Sequence, residues 1–175
     1  MFVYRIEYNF LMPILDARSL EFFSRSPEQT RRLGVRLGEL LDPGDLILLA
    51  GDLGAGKTTL VQGIAQGWGT LDAVSSPTFV LVNQYRRPGG SCLYHMDAYR
   101  MASAWEAEDL DLDRMIETGP LIIEWPERIQ EALPGEHLQI KLRWVADEQR
   151  AMAFHGNGKR YETLLAEFRK RVFGG

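Results

Sequence analysis

Residues 51–58 contain the feature that most limits what this chain can fold into. They match the phosphate-binding pattern G-x-x-x-x-G-K-S/T and read Gly51, Asp52, Leu53, Gly54, Ala55, Gly56, Lys57 and Thr58. The glycines let successive backbone N–H groups turn inward onto phosphate oxygens, the lysine reaches the β- and γ-phosphates, and the hydroxyl binds Mg²⁺. A random chain of this length would contain the pattern well under about 1% of the time. The segment therefore predicts a nucleotide site.

The residues on either side of this P-loop predict a strand before it and a helix after it. Residues 45–50 form a short apolar run, which is typical of a buried parallel strand. After the loop, apolar residues recur at helical spacing at Leu60, Val61, Ile64, Ala65 and Trp68. A strand, a loop and a helix in that order place the loop amides at a helix N-terminus, where anions bind.

The composition is that of an ordinary globular protein, and it excludes several classes. The chain has 175 residues, 45% of them hydrophobic and 25% charged, which is enough for one domain with a proper core. The net charge of −4 argues against binding a nucleic-acid backbone by charge alone. The single cysteine, Cys92, excludes an internal disulfide and a multi-cysteine zinc site.

The sequence predicts neither a membrane span nor a signal peptide. No apolar run is close to about 18 residues, the length that a membrane-spanning helix needs. Charged residues interrupt the apolar N-terminus, which is a poor signal peptide, so we expect a cytoplasmic protein.

Three segments follow one another along the chain. Residues 1–15 are rich in aromatic side chains and only loosely alternating, and we expect them to form an N-terminal appendage outside the core fold. Residues 16–160 are predicted to form the P-loop domain. Residues 161–175 are predicted to form a basic, amphipathic C-terminal helix whose charges face solvent.

The domain is predicted to begin with a strand at residues 19–24 and a capped helix. Ser26 stands at the N-cap position, Pro27 opens the helix, and Gln29 completes a capping box. The helix is predicted to run to about Leu41.

The second half of the domain is predicted to alternate strands and helices. A β-hairpin is predicted from residues 79–86 and 93–96, which flank a Pro-Gly-Gly turn. We then expect a helix at 103–118, a strand at 121–125, a short helix at 126–133, a strand at 137–145, and a segment at 151–155 that pairs with it. The fold class that follows is α/β, a P-loop NTPase-like sandwich. Its central sheet is mostly parallel with an antiparallel hairpin, and helices cover both faces.

Two acidic residues end predicted strands and are candidates for chemistry. Glu124 follows an apolar strand as a Walker B acid does, and Asp97 follows residues 93–96. Ligands of open α/β sheets bind at the carboxyl ends of the strands, where such acids can hold a metal. The alternative is that each acid caps a helix or pairs with an arginine such as Arg100 or Arg128.

Residues 75–78 and His95 have two interpretations each. In one interpretation, a hydroxyl in the Ser-Ser-Pro-Thr segment contacts the γ-phosphate or the metal, as a switch threonine does. In the other, the segment is an ordinary turn. Spacing alone favours neither interpretation. His95 is predicted to be a packed histidine because the three histidines have no metal-ligand spacing. Trp125 is predicted to be a packing residue beside the candidate acid.

Four ordered motifs give this chain a close resemblance to the TsaE (YjeE) family. They are the P-loop extended by Thr59, Ser-Pro-Thr-Phe at 76–79 with Tyr85, His-x-Asp-x-Tyr-Arg at 95–100, and Ile-Glu-Trp-Pro-Glu at 123–127. The resemblance covers about residues 20–155. It implies a bacterial P-loop ATPase that is required to form threonylcarbamoyladenosine in tRNA. It also implies that ATP turnover with Mg²⁺ supports a TsaB–TsaD protein pair, and that this pair transfers the threonylcarbamoyl group. The chain would then contact tRNA only indirectly, through that complex.

The resemblance also assigns residues to roles. Residues 54–59 hold the phosphates, and Thr58, Glu124 and Asp97 are the candidate metal ligands. The candidate catalytic residues are Lys57, Asp97, Glu124 and the switch-like Thr78. The remaining nucleotide-binding candidates are Ser26, Thr30, Glu127 and Arg150, the first two on the adenine side.

Two other functions remain as alternatives. A small-molecule kinase of the P-loop class would need an acceptor site and usually an arginine-rich lid, whereas the stretch between Asp97 and Leu121 is acidic. A GTP-binding switch would need an N/T-K-x-D guanine motif, and the sequence contains none.

Overall fold

A seven-stranded mixed sheet forms the centre of the structure. The computed structural model describes residues 16–75, 77 and 81–174. The strands are β1 (Ser19–Ser24), β2 (Leu46–Ala50), β3 (Val82–Arg86), β4 (Cys92–Asp97), β5 (Leu121–Glu124), β6 (His137–Ala146) and β7 (Gln149–Asn157). The helices are α1 (Pro27–Gly38), α2 (Lys57–Trp68), α3 (Ala104–Glu108), α4 (Leu112–Thr118) and α5 (Lys159–Phe173). The strand order across the sheet is β1-β7-β6-β2-β5-β4-β3.

The four central strands pair in parallel, and antiparallel strands flank them. β6, β2, β5 and β4 form the parallel part. β3 pairs antiparallel with β4, which confirms the predicted hairpin, while β7 and β1 add a second antiparallel section beside β6. The predicted α/β fold is confirmed, and so is the pairing of residues 151–155 with the strand at 137–145. The pairing of β1 with β7 is antiparallel and was not predicted. Since parallel strands end at the same edge of a sheet, β2, β5 and β4 bring their carboxyl ends together.

Helices bury an apolar core on each face of the sheet. On one face, α1, α2 and α5 pack against alternate residues of the central strands, among them Ile47, Leu49, Ile122, Leu138 and Ile140. On the other face, the other set of alternate residues packs against α3, α4 and the turns after β5, among them Leu46, Leu48, Met96, Leu121 and Ile123. The C-terminal helix therefore contributes to the main core, and its buried residues are Tyr161, Leu164, Leu165 and Phe168.

Helices α1 and α2 touch backbone to backbone through glycines. Gly34 and Gly38 of α1 face Gly63 and Gly67 of α2. A Cβ atom on Gly63 would lie 2.1 Å from the carbonyl oxygen of Arg31, and one on Gly38 would lie 2.0 Å from a carbonyl oxygen of α2. This glycine seam allows the helix that begins at the P-loop to lie directly against α1.

The helix predicted at 103–118 is instead two short helices. The chain leaves the helical path between α3 and α4, where Asp111 adopts a left-handed conformation with φ of 51°. On one continuous helix, Ala107 and Leu112 would project about 140° apart. The break brings both into the same core.

Two details near the site also differ from the sequence predictions. Residues 126–133 form two 3₁₀ turns, Pro126–Arg128 and Gln130–Ala132, and the interruption between them buries Ile129 in the core. Alternation along β6 places Trp144 on the same side as Leu138, Ile140 and Leu142, but Trp144 is 58% exposed because it lies beyond Leu142, the last core residue of the strand.

No helix in the part of the chain that the structure describes is long and apolar enough to cross a membrane. The appendage predicted for residues 1–15 lies outside the described residues.

Candidate functional site

The P-loop connects β2 to α2 in a conformation that requires glycine at three positions. Gly51, Gly54 and Gly56 have φ angles of 148°, 78° and 101°, which L side chains rarely adopt. Gly51 is also crowded, since a Cβ atom there would lie 2.4 Å from the carbonyl oxygen of Leu142. Gly56 is the N-cap of α2, and no side chain caps this helix. The amides of its first turn therefore remain available to an anion, with the favourable end of the helix dipole behind them.

Lys57 folds back over the loop. Its Nζ donates to the carbonyl oxygens of Gly51 and Asp52 at 2.6 and 3.0 Å, and it lies 4.1 Å from the centre of the Trp125 ring. Burial lowers the pKa of the Lys57 ammonium, while the nearby carboxylates, led by Glu124 and followed by Asp97, oppose the shift. A buried cation held by carbonyl oxygens and a ring face is well placed to exchange these partners for phosphate oxygens.

The two candidate acids lie side by side. Asp97 and Glu124 are register partners across the parallel strands β4 and β5, so they occupy the same edge and the same face of the sheet. Asp97 accepts a hydrogen bond from the backbone N–H of Tyr99 at 2.9 Å, which is a local turn contact. Glu124 is buried. Both acids act electrostatically on Lys57, which brings the predicted acids and the predicted lysine into one site.

His95 contacts one of these acids directly. Its Nε2 lies 2.8 Å from Oε1 of Glu124, and its Nδ1 lies 3.3 Å from the hydroxyl of Tyr85. His95 is buried, as the sequence predicted. The sequence did not predict its contact with Glu124. The alternation of His95 and Asp97 along one strand was the only signal that both face the site.

Trp125 holds an unusual backbone conformation beside the site. Its φ of 58° is rare for a bulky residue, and such strain tends to occur at functional positions. Its ring contacts that of Tyr99 at a centroid distance of 4.9 Å, and the Arg128 guanidinium lies 5.6 Å from the Tyr99 ring. The sequence predicted only packing for Trp125, whereas the ring supports the P-loop lysine.

Arg150 reaches the P-loop from β7. Its guanidinium donates to the carbonyl oxygen of Gly54 at 3.3 Å and to that of Asp147 at 2.8 Å. Its side chain lies within 4 Å of where a Cβ atom of Gly56 would be. Arg150 therefore braces the loop against the β6–β7 hairpin.

The remaining candidates lie around this centre. Ser26 caps α1 by accepting from the N–H of Gln29, and the buried hydroxyl of Thr30 donates to Ser24. Because Ser24 is the register partner of Arg150, the start of α1 stands on the Arg150 side of the P-loop. Thr58 and Thr59 lie in the first turn of α2, and Glu127 acts electrostatically on Lys57. Thr78 lies outside the described residues.

Among the described residues, no group of three or more His, Cys, Asp and Glu side chains forms a metal site by itself. Mg²⁺ at nucleotide sites uses one or two carboxylates together with phosphates and waters. Two carboxylates, those of Asp97 and Glu124, and the hydroxyl of Thr58 match this type of open site. They do not form a site closed by protein ligands alone.

Comparison with known proteins identifies the family. The model of the family described as "Threonylcarbamoyl adenosine biosynthesis protein TsaE" matches residues 24–152. The chain belongs to the TsaE family. This match falls within the span that the four motifs indicated.

Individual relatives of the TsaE family resemble most of the chain. A Bacillus subtilis protein is 41% identical over 151 residues, which cover 86% of this chain and 94% of that protein. A Streptomyces coelicolor protein is 44% identical over 139 residues, which cover 76% of this chain and 94% of the relative. Both are described as tRNA threonylcarbamoyladenosine biosynthesis proteins TsaE. The crystal structure of YdiB from Bacillus subtilis superposes with a TM-score of 0.74 at 35% identity, covering 88% of this chain and 96% of that one.

Proposed function

We propose that this TsaE-family protein binds and hydrolyses ATP with Mg²⁺ and that this turnover is required for threonylcarbamoyladenosine modification of tRNA in the cytoplasm. The observation that carries the proposal is that Asp97 and Glu124 are register partners at the strand ends beside the P-loop, where Lys57 contacts the ring of Trp125, the neighbour of Glu124. Relatives described as tRNA threonylcarbamoyladenosine biosynthesis proteins support the pathway.

The roles of the residues follow from their chemistry. The loop amides of residues 54–59 and the Lys57 ammonium bind the phosphates, and Arg150 keeps the loop in its binding shape. Thr58, Glu124 and Asp97 would hold Mg²⁺, which supplies positive charge against the phosphates when bound. Ser26 and Glu127 would line the outer part of the site. Thr30, which is buried and donates to Ser24, would support the start of α1 on the adenine side. Thr78 would act as the switch threonine.

The surroundings of the site support an action together with partner proteins. Leu53 at the tip of the P-loop is 92% exposed, and Trp105 beyond β4 is 76% exposed. Both apolar side chains are available to be buried against a partner protein. We propose a TsaB–TsaD-like pair as that partner, with tRNA reached through it. The alternative of a small-molecule kinase has no support from an arginine-rich segment between Asp97 and Leu121.

The test is phosphate release from ATP by the full chain, alone and with a TsaB–TsaD pair, with GTP as a control. We expect slow turnover alone, faster turnover with the pair, and loss of turnover in Lys57→Ala. We expect Glu124→Ala and Asp97→Ala to retain nucleotide binding and lose most hydrolysis. Equal rates with and without the pair, a preference for GTP, or dependence on an added small acceptor would contradict the proposal.

A further inference from the structure

The strand register brings a histidine onto the same face as the two acids. His95 on β4 is the register partner of Ile122 on β5, two residues before the pair Asp97 and Glu124. Side chains alternate along a strand, so His95 and both acids face the same side of the sheet. Ile122 belongs to the core beneath α2, the helix that begins with Lys57.

The contact between His95 and Glu124 is short and shielded from water. The side chain of His95 is 0% exposed and that of Glu124 is 5% exposed, and the two are separated by 2.8 Å. A carboxylate accepts hydrogen bonds only, so Nε2 of His95 donates to Oε1 of Glu124. This bond engages Oε1 of Glu124 and restrains the orientation of the carboxylate.

Side chains of β3 in turn contact the histidine and its neighbours. The Tyr85 hydroxyl lies 3.3 Å from Nδ1 of His95 and 2.9 Å from the carbonyl oxygen of Ser75. Asn83 lies on β3 opposite His95, and its side-chain amide donates to the Tyr85 hydroxyl and to the carbonyl oxygen of Ser75. The ring of His95 is thus fixed from both nitrogens.

Packing alone does not account for this network. The other buried residues of β4, such as Leu93 and Met96, are apolar, and burying an acid beside a histidine costs desolvation energy that apolar side chains would avoid. Groups that orient a metal-binding carboxylate or histidine are the usual reason for such an arrangement.

We propose that His95 is a positioning residue for Glu124 and that Tyr85, through its contact with Nδ1, fixes the orientation of the His95 ring. The inference rests on the proposed ATPase function, in which Glu124 faces the metal. His95 is fully buried and would act through Glu124.

Kinetics of variants test the role. We expect His95→Leu to lower kcat for ATP by about tenfold or more, the usual effect of losing such a support, while KM changes less than about threefold. His95→Gln keeps an N–H donor and should restore much of kcat, and Tyr85→Phe should cause a smaller loss. Leu93→Ala is the matched control, since it removes buried volume from the same face of β4 without a polar contact. Its kcat should stay at the wild-type level below its melting temperature.

The outcomes separate this inference from the proposed function. Wild-type turnover that Lys57→Ala abolishes but His95→Leu leaves unchanged would overturn the role of His95 alone. Equal losses in His95→Leu and His95→Gln, or in Leu93→Ala, would also overturn it. Absence of wild-type turnover would overturn the proposed function.

A measurement on the free protein tests the contact without turnover. We expect ¹H–¹⁵N NMR to show a slowly exchanging proton on Nε2 of His95, which Glu124→Ala removes and Leu93→Ala retains. An Nε2 without a proton, or a signal unchanged by Glu124→Ala, would overturn the inference.

Discussion

Adding one methyl group to the glycine seam should separate the helix that carries the P-loop from its neighbour. In Gly63→Ala, the new Cβ atom would lie 2.1 Å from the carbonyl oxygen of Arg31 and 3.0 Å from Cα of Gly34. The first distance is about 1.3 Å shorter than ordinary contact, which begins at 3.4 Å. The obstacle is backbone, so no side-chain rotation relieves it.

Two opposing terms determine the size of the effect. Alanine is about 1 kcal/mol more favourable than glycine inside a helix. Overpacking a tight contact costs about 1–3 kcal/mol and occasionally more, and an overlap with backbone on this scale belongs at the upper end. We expect a net loss of about 2 kcal/mol, which corresponds to a fall in melting temperature of about 4–8 °C for a protein of this length.

Thermal and urea unfolding of Gly63→Ala measure this loss. Gly135→Ala is the matched control, because no atom lies within 4 Å of its Cβ position and its φ is not left-handed. The control should stay within about 0.5 kcal/mol of wild type. A Gly63→Ala protein as stable as the control, or more stable than wild type through helix propensity, would refute the close approach of α1 and α2.

Three further results are expected. Tyr161→Phe should cost about 1–3 kcal/mol in urea unfolding, because the first N–H of β2 donates to this hydroxyl at 2.8 Å and would lose its partner. Burial raises the pKa of Tyr161 above its ordinary 10.0. The neutral hydroxyl therefore contributes to the stability of the fold below pH 10, and this contribution is lost as the pH rises further. The stability of Tyr161→Phe should fall less steeply than that of wild type at alkaline pH. Arg150→Ala should weaken nucleotide binding in calorimetry by releasing the carbonyl oxygen of Gly54, and an unchanged affinity would show that the loop needs no brace. ATP binding should change the fluorescence of Trp125 by drawing Lys57 off its ring, and a Trp125→Phe variant that keeps the whole signal would contradict this.

Much of the site could be predicted because its signals are local in sequence. The P-loop pattern, the apolar strand before it and the helical spacing after it are each contained in one short segment, and the strand and the helix are confirmed. Glu124 and Asp97 were predicted from their positions at strand ends, and the parallel pairing of β4 with β5 places them together.

The parts that sequence reasoning missed depend on contacts between distant segments. The bond from His95 to Glu124 requires the register of β4 against β5, which no local pattern encodes. The interruption between α3 and α4 arises because tertiary packing buries both Ala107 and Leu112, overriding a continuous helical propensity. The contact of Lys57 with Trp125 likewise depends on a backbone conformation that helix and strand patterns do not predict.

The most direct test of the central claim is the formation of threonylcarbamoyladenosine itself. Purified full-length protein would be combined with a TsaB–TsaD pair, tRNA, ATP and a threonylcarbamoyl donor, and the modified nucleoside would be quantified by mass spectrometry over many turnovers. We expect sustained formation with wild type and with Gly135→Ala, and formation that stops early with Lys57→Ala. Equal sustained formation with Lys57→Ala, or without the protein, would contradict the claim that its P-loop site supports this modification.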